Sequence, residues 1–199
     1  MFEIEMKAHV RNRNEVMEKL NSLAEFCGRT YKKDVYYEIP AGSVTGAEGF
    51  ISARIRTETG TDGRTEIFLT YKRKQLLEGD GGPAVEVNDE QECMVSDAAP
   101  LEALLADAGA RISLRKEKDV YHWKAETGAG AAHIELCSVP PLGDFLEIET
   151  ISTENDAGTV AKIKSAEKAL FTACGIPESD LEPRYYRDML AEHGNTALK

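Results

Sequence analysis

The sequence predicts an α+β fold in which antiparallel strands close into a barrel, a tunnel with a charged interior and helices packed outside it. Three observations predict it. Ionised residues recur at every second position in segment after segment, and their signs are sorted by segment. The intervening positions are apolar, and amphipathic helices are available to cover them. A solvated face of a two-sided sheet usually mixes polar residues, whereas these paired positions are almost wholly ionised. Once helices cover the apolar side, the charged faces turn toward one another, and a sheet curled that way is a barrel.

The elements follow in order. Residues 2–10 alternate Phe2, Ile4 and Met6 with Glu3, Glu5 and Lys7 and read as a strand. Asn12 or Asn14 offers an N-cap to a helix carrying Val16, Leu20, Leu23 and Phe26 up to Gly28. Tyr31 to Ile39 is β-rich and ends at Pro40. A glycine-rich loop, AGSVTGAEG, precedes FISARIRTE and TEIFLTYKRK, which flank the turn TGTDGR as a hairpin. After a second loop, LLEGDGGPAV, the strand spacing resumes in VEVNDEQECMV.

Asp97 caps a helix with Leu101, Leu104 and Leu105 that stops at Gly109. Ile112 to Lys124 is a strand, and the turn TGAGA leads into the strand AHIELCSV. A turn through Pro140 and Asp144 opens the strand FLEIETIS. Asn155 or Asp156 then starts a helix with Val160, Ile163, Ala166, Leu170 and Phe171 on one face. A short helix from Tyr185 to Ala191 closes the fold. Residues 1–193 are expected to form a single domain, with 194–199 as a mobile tail.

Bulk properties exclude several classes. The 199 residues are 42% apolar and 30% charged, the composition of a soluble globular protein. The formal net charge of -11 argues against nucleic-acid binding, although a local basic cluster can still hold a small anion. No apolar run approaches the ~18 residues of a membrane helix. No basic-then-apolar leader is visible, so a cytoplasmic location is expected. Cys27, Cys93, Cys137 and Cys174 are widely spaced, and neither a disulfide scaffold nor a zinc site is expected from them.

The paired charges carry the chemistry. Glu3, Glu5 and Lys7 share a face, as do Arg54 with Arg56, and Thr70 with Lys72 and Lys74. Glu90 with Glu92, Lys116 with Lys118, His133 with Glu135, and Glu147 with Glu149 repeat the spacing. Buried charge must be satisfied by other charges, water or a ligand. Glu3, Glu5, Glu147 and Glu149 supply hard oxygen ligands for Mg²⁺ or Mn²⁺. Lys7, Arg54, Arg56, Lys72, Lys116 and Lys118 supply donors for several phosphates. Metal and base together describe a polyphosphate site.

These residues resemble the signature of the CYTH superfamily, the triphosphate tunnel metalloenzymes. Its E-x-E-x-K is matched by Glu3-Ile4-Glu5-Met6-Lys7 and its R-x-R by Arg54-Ile55-Arg56. Phe68 to Lys72 is similar to a strand of the class IV adenylyl cyclase branch, and Leu142 to Glu149 to the C-terminal metal-binding strand. Arg184 to Leu190 resembles the family's basic and aromatic element near the C-terminus. The resemblance implies an eight-stranded antiparallel tunnel that binds triphosphate and divalent metal, two Mg²⁺ or Mn²⁺ ions. It implies Glu3, Glu5, Glu147 and Glu149 as metal-side acids, and Lys7, Arg54, Arg56, Lys72, Lys116 and Arg184 as phosphate-binding. These cations, together with Lys118, form the expected catalytic set.

Three departures stand out. Cys137 occupies a position where the family often has Asp, with Glu135 as the substitute metal ligand. Lys118 stands where Arg is usual and lacks the planar fork. Arg73-Lys74 follows Phe68 to Lys72 in place of the Gly-Pro common in cyclases.

The expected activity is therefore metal-dependent chemistry on a nucleoside or inorganic triphosphate, with conversion of ATP to cyclic AMP and pyrophosphate first. Inorganic or thiamine triphosphatase is the alternative, and a non-catalytic polyphosphate- or nucleotide-binding barrel is the second. No nucleic acid or membrane is expected as a partner, and a homodimer is left open. His9, His122, His133 and His193 are read as structural or surface residues before catalytic ones, although His133 beside Glu135 could face the tunnel. Tyr31, Tyr36 and Tyr37 are read as packing before base stacking. Asp34 is read as an ion-pair partner, and Glu86, Asp89, Glu90 and Glu92 as either tunnel wall or solvated edge.

Overall fold

Period-two alternation builds eight strands, and the amphipathic segments between them supply helices. In a computed structural model the described residues are 2–40, 50–77, 85–154 and 156–194. The order is β1 (Phe2–Val10), α1 (Arg13–Leu23), β2 (Glu25–Pro40), β3 (Phe50–Gly60), β4 (Thr65–Leu77) and β5 (Val85–Val95). It continues with α2 (Ala99–Asp107), β6 (Arg111–Thr127), β7 (Gly130–Val139), β8 (Gly143–Ser152), α3 (Ala157–Ala173) and α4 (Tyr186–Glu192). A single 3-10 turn spans Glu178–Asp180. The loop 41–49, most of the loop before β5, Asn155 and the tail from 195 lie outside the described residues. Among the described residues, no helix is long and apolar enough to cross a membrane.

The strands form one sheet in the order β1-β8-β7-β6-β2-β3-β4-β5. The expected closed barrel is corrected to this extent. Among the described residues β1 and β5 are the two ends of the order, and no ladder joins them.

Two compact units divide the chain, one of residues 2–31 with 118–194 and the other of residues 32–117. In the first, Val16 and Leu20 of α1 and Phe171 of α3 pack with Ala8, Trp123, Ile134, Leu136, Leu146 and Ile148. This is the apolar side of the alternation, and burying each such side chain contributes about 1.5–3 kcal/mol. Trp123 is fully buried and donates its indole N–H to Asn21 Oδ1 at 3.0 Å. In the second unit Leu105 of α2 packs with Tyr37, Ile39, Ile51, Ala53 and Ile55.

Local caps agree with the sequence where the cap is a short-range event. Asn12 Oδ1 accepts from Glu15 N, and Asp156 accepts from Gly158 N and Thr159 N. At α2 the cap position is Ala98 rather than the expected Asp97, whose Oδ1 still accepts from Ala99 N at 3.0 Å from one residue earlier. The first helix, however, ends at Leu23 rather than near Gly28. Ala24 is already extended, Gly28 has φ 132°, and the segment joins β2. Phe26 meets the edge of Trp123 at 5.2 Å, so a long-range aromatic contact overrides the helical spacing.

The alternate face is not charged throughout. Val120, Cys137, Val139, Phe145 and Met189 form a separate apolar cluster, with Tyr186 packed against it. Helix α4 therefore covers the Cys137 end of that face.

One acid is buried on the other side. Glu167 of α3 is fully buried, and its carboxyl is pushed up to about 7. Burial is the main cause; Glu5 and Glu149 add to it, while Thr150 and Lys164 oppose it. The folded chain therefore keeps a proton that the unfolded chain loses above the ordinary value of 4.5, and stability falls as pH rises from there toward about 7. The loss from this group is about 3 kcal/mol. Urea denaturation of Glu167→Gln is expected to show a flatter decline between pH 5 and pH 8 than the parent. Equal declines in the two proteins would remove the assignment.

Candidate functional site

Cross-strand register assembles the acidic residues of the first unit. Glu5 of β1 lies opposite Glu149 of β8, and Lys7 lies opposite Glu147. Across the next ladder, Glu147 lies opposite Glu135 and Glu149 opposite His133. Beyond that, Glu135 lies opposite His122 of β6. Four of the five expected metal-side acids thus occupy one patch of three neighbouring strands. Glu3, the fifth, lies opposite Ile151 near the end of its ladder; like Glu5 it is exposed at the surface.

A buried ion pair anchors this patch. Lys118 Nζ donates to Glu147 Oε1 at 2.7 Å and to Oε2 at 2.6 Å, and both side chains are under 10% exposed. Burial works against the charge on Lys118, but Glu147, Cys137 and Glu135 outweigh it and hold the ammonium well above the usual range. Burial likewise works to raise the Glu147 carboxyl, and Lys118 reverses this and lowers it. Glu5 behaves differently. Desolvation first and the Glu147 charge second push its carboxyl up, with Lys118 and Lys7 pulling against them.

Two further residues shape the patch. Lys7 is pulled down chiefly by burial, although Glu147 and Glu5 oppose the shift. Its ammonium donates to the Arg184 carbonyl at 2.6 Å and stands 4.9 Å from the Tyr186 ring centroid. Lys118 sits 4.6 Å from the same ring. The Cys137 thiol is fully buried and pushed up to about 12, by burial and then by Glu147. At neutral pH it is a neutral thiol, 3.6 Å from the Tyr186 hydroxyl, and not the anionic oxygen ligand that an Asp would be.

The Arg184 guanidinium points elsewhere. It is half exposed and binds Glu182, with Nε 2.9 Å from Oε1, and Glu192, at 2.8 Å. Its backbone carbonyl, not its side chain, meets Lys7.

The second unit carries the basic counterpart. Arg56 Nε and Nη2 donate to the two oxygens of Asp34 at 2.7 and 3.0 Å. Lys116 Nζ reaches the same carboxylate at 3.1 Å, and Asp34 is only 2% exposed. Burial works to raise the Asp34 carboxyl, but Arg56, Lys116 and Arg54 together hold it far below the usual carboxylate range. Arg54 Nη2 donates to Thr70 Oγ1 at 2.9 Å and to Glu92 Oε2 at 3.3 Å. Arg54 Nε is buried and has no hydrogen-bond partner among the described residues. Lys72 lies in register with Ser52 and Glu90, as the alternation requires, while its side chain lies outside the described residues. The side chains of Glu86, Asp89 and Glu90 lie outside them too.

Asp34 and Tyr186 carry more of the site than the sequence reading assigned to them. The signal for Asp34 was present. It falls two residues from Lys32 and from Tyr36 in an alternating strand, but period alone does not reveal that two cations converge on it. Tyr186 was signalled only as part of the Arg184 to Leu190 resemblance, because Cys137, Phe145 and Lys118, which it meets, lie on strands distant in the chain.

No family model and no curated protein matches the sequence. Solved structures do match its fold. The PH1819 protein of Pyrococcus horikoshii aligns with TM-score 0.73 and 29% identity over 96% of this chain and 99% of that one. A candidate adenylate cyclase from Vibrio parahaemolyticus aligns with TM-score 0.70 and 19% identity over 96% and 98% of the two chains. A candidate adenylyl cyclase from Hippeastrum, whose dominant activity is that of a triphosphatase, aligns with TM-score 0.60 and 16% identity over 96% and 95%.

The Asp34 cluster generates a direct test. Removing one partner of a buried ion pair leaves uncompensated charge and costs about 3–5 kcal/mol. Asp34→Asn is expected to lose stability of that order in urea denaturation at pH 7. Because the folded carboxyl is depressed, its contribution is complete above the ordinary value of 3.8 and fades only as pH falls below it. The gap between variant and parent is therefore expected to narrow on acidification and to stay constant from pH 5 to 8. A gap that widened on acidification would contradict the pairing.

Proposed function

We propose that this chain, whose fold is that of the CYTH superfamily, is a metal-dependent enzyme acting on a triphosphate. The observation that carries the proposal is Arg54 Nε. A buried donor without an acceptor costs about 1–3 kcal/mol; among the described residues this one has none, and it lies on a strand face it shares with Arg56. An anionic oxygen supplied by a ligand would satisfy it. Arg56 and Lys116 would serve the same anion, exchanging part of their hold on Asp34 for phosphate oxygens. Lys72 of the second unit joins this phosphate-binding set; in the first unit Lys7 is read as a further phosphate donor, with Lys118 neutralising Glu147.

The residues of the acidic patch fit a hard divalent cation. The Glu5 carboxyl is pushed up by desolvation and then by Glu147, with Lys118 and Lys7 pulling against them. Glu5, Glu147 and Glu149, with Glu3 beside them, would hold Mg²⁺ or Mn²⁺ through oxygen atoms. Such an ion, when bound, supplies charge neutralisation to the phosphate oxygens. Arg184 is the weakest member of the expected set, because its guanidinium already serves Glu182 and Glu192.

Cyclisation of ATP is the first reading, supported by the segments Phe68 to Lys72 and Leu142 to Glu149. There the 3′-hydroxyl oxygen bonds to the α-phosphorus as its proton passes to water, the bond from that phosphorus to the bridging oxygen breaks, and pyrophosphate leaves. The guanidinium and ammonium groups of Arg54, Arg56 and Lys116 would stabilise the charge gathering on that leaving group. Hydrolysis of a triphosphate is the second reading. The Hippeastrum neighbour, with its dominant triphosphatase activity, favours weighing it.

One assay separates these outcomes. Purified protein with Mg²⁺ or Mn²⁺ is given ATP, inorganic triphosphate and thiamine triphosphate in turn. Cyclic AMP with pyrophosphate identifies the cyclase, and orthophosphate identifies the hydrolase. Tight binding without turnover identifies a binding protein and overturns the enzymatic proposal. Arg54→Leu and Glu149→Gln are each expected to lower kcat/KM by about 100-fold, the scale of losing one preorganised electrostatic contact. Unchanged kinetics in Glu149→Gln would sink the metal assignment.

A further inference from the structure

We infer that His122, His133 and Glu135 form a binding site for a borderline divalent transition metal, zinc foremost, distinct in ligand chemistry from the all-carboxylate patch beside it. The inference does not rest on the triphosphate reading.

The three residues come from adjacent strands of one unit. Their ligand atoms, one from each side chain, all lie within 4.8 Å of one another, and all three residues are partly buried. His122 Nδ1 is 3.5 Å from Glu135 Oε1. Two ligands on one tetrahedral ion, with bonds of ~2.1 Å, stand about 3.4 Å apart. That pair is therefore already at the spacing of a tetrahedral edge. The His122 and His133 rings lie nearly parallel, 17° between planes and 5.4 Å between centroids.

The remaining polar atom of His122 explains why this spacing is held. Nε2 lies 2.7 Å from the Thr30 hydroxyl. Without metal, a proton on Nδ1 faces Glu135 Oε1 and Nε2 accepts from the Thr30 hydroxyl. Metal binding selects the other tautomer, in which Nε2 donates to Thr30 Oγ1 and the Nδ1 lone pair is given to an ion shared with the Glu135 carboxylate. Hydrogen bonding of a ligating imidazole through its other nitrogen is the usual device for fixing its tautomer and orientation.

The ligand set discriminates between ions. Two imidazoles with one carboxylate suit zinc and its first-row neighbours, whereas Mg²⁺ takes oxygen and water. Three protein ligands leave a coordination position open, as in zinc sites that bind water or substrate. Cysteine has no part in it, since Cys137 on the same strand is a buried neutral thiol facing Tyr186.

The test uses the metal alone. Full-length protein is stripped with chelator, placed in excess Mg²⁺ to occupy oxygen-only sites, and titrated with Zn²⁺ by calorimetry and with Co²⁺ by visible absorption. The expected result is one Zn²⁺ per chain held against Mg²⁺, and a Co²⁺ spectrum of tetrahedral intensity. His133→Ala and Glu135→Gln are each expected to weaken Zn²⁺ binding by more than about 100-fold. Thr30→Val, which removes only the hydrogen bond to His122, is expected to cost about 10–100-fold. Circular dichroism checks that each variant is folded, and Glu5→Gln is expected to bind Zn²⁺ like the parent. Zn²⁺ displaced by Mg²⁺, or retained equally by the His133→Ala/Glu135→Gln double variant, overturns the site. Loss of triphosphate turnover with Zn²⁺ binding intact tells against the enzymatic reading and leaves this one standing.

Discussion

The buried contact between Lys118 and Glu147 organises much of the first unit's polar face. Removing two charges from water costs several kcal/mol per ion before any attraction is counted, so neither residue could stay ionised there alone. Each keeps its charge because the other is bound to it through two short hydrogen bonds. That arrangement then sets the electrostatics of its neighbours. Glu147 pushes Glu5 up, supports Lys7 against burial and helps keep Cys137 neutral. The aromatic ring of Tyr186 packs beside both lysines. In the other unit, Asp34 plays the matching part for Arg56 and Lys116.

Both arrangements follow from a strand pattern that places ionisable groups where apolar ones would normally pack. A protein selected only for stability would gain by replacing such pairs with well-packed apolar residues. Their retention, with Arg54 Nε lacking a hydrogen-bond partner among the described residues, is what the proposed ionic ligand would account for. The apolar side of the same strands supplies the compensating stability through Trp123, Ile134, Leu146 and Ile148 beneath α1 and α3.

Much of this was legible in the sequence, because a period of two is a local property. The alternation in Glu3-Ile4-Glu5-Met6-Lys7 and in Phe145 to Glu149 fixes which side chains share a face. The register then sets Glu5 against Glu149 and Lys7 against Glu147. The hairpin through TGTDGR and the caps at Asn12 and Asp156 were also local and legible. What long-range packing decides was not. Phe26 looked helical until Trp123 claimed it, and the Cys137 end of the charged face is covered by a helix 49 residues downstream. Arg184 was read as a phosphate ligand, and its family resemblance did not reveal that its guanidinium binds Glu182, two residues away. Strand closure is likewise a property of the two sheet ends, which no single segment encodes.

The carboxylate of Asp34 carries a consequence for selectivity. It is an internal competitor, already seated on the two cations that an incoming anion would use. A visitor bearing a single negative charge exchanges one ion pair for another and gains almost nothing. In the proposed phosphate site, a visitor with several charges and many oxygens would satisfy Arg56, Lys116 and Arg54 at once, and only then would exchange become favourable. There the side chain would act as a threshold, screening small anions by valence before shape is consulted.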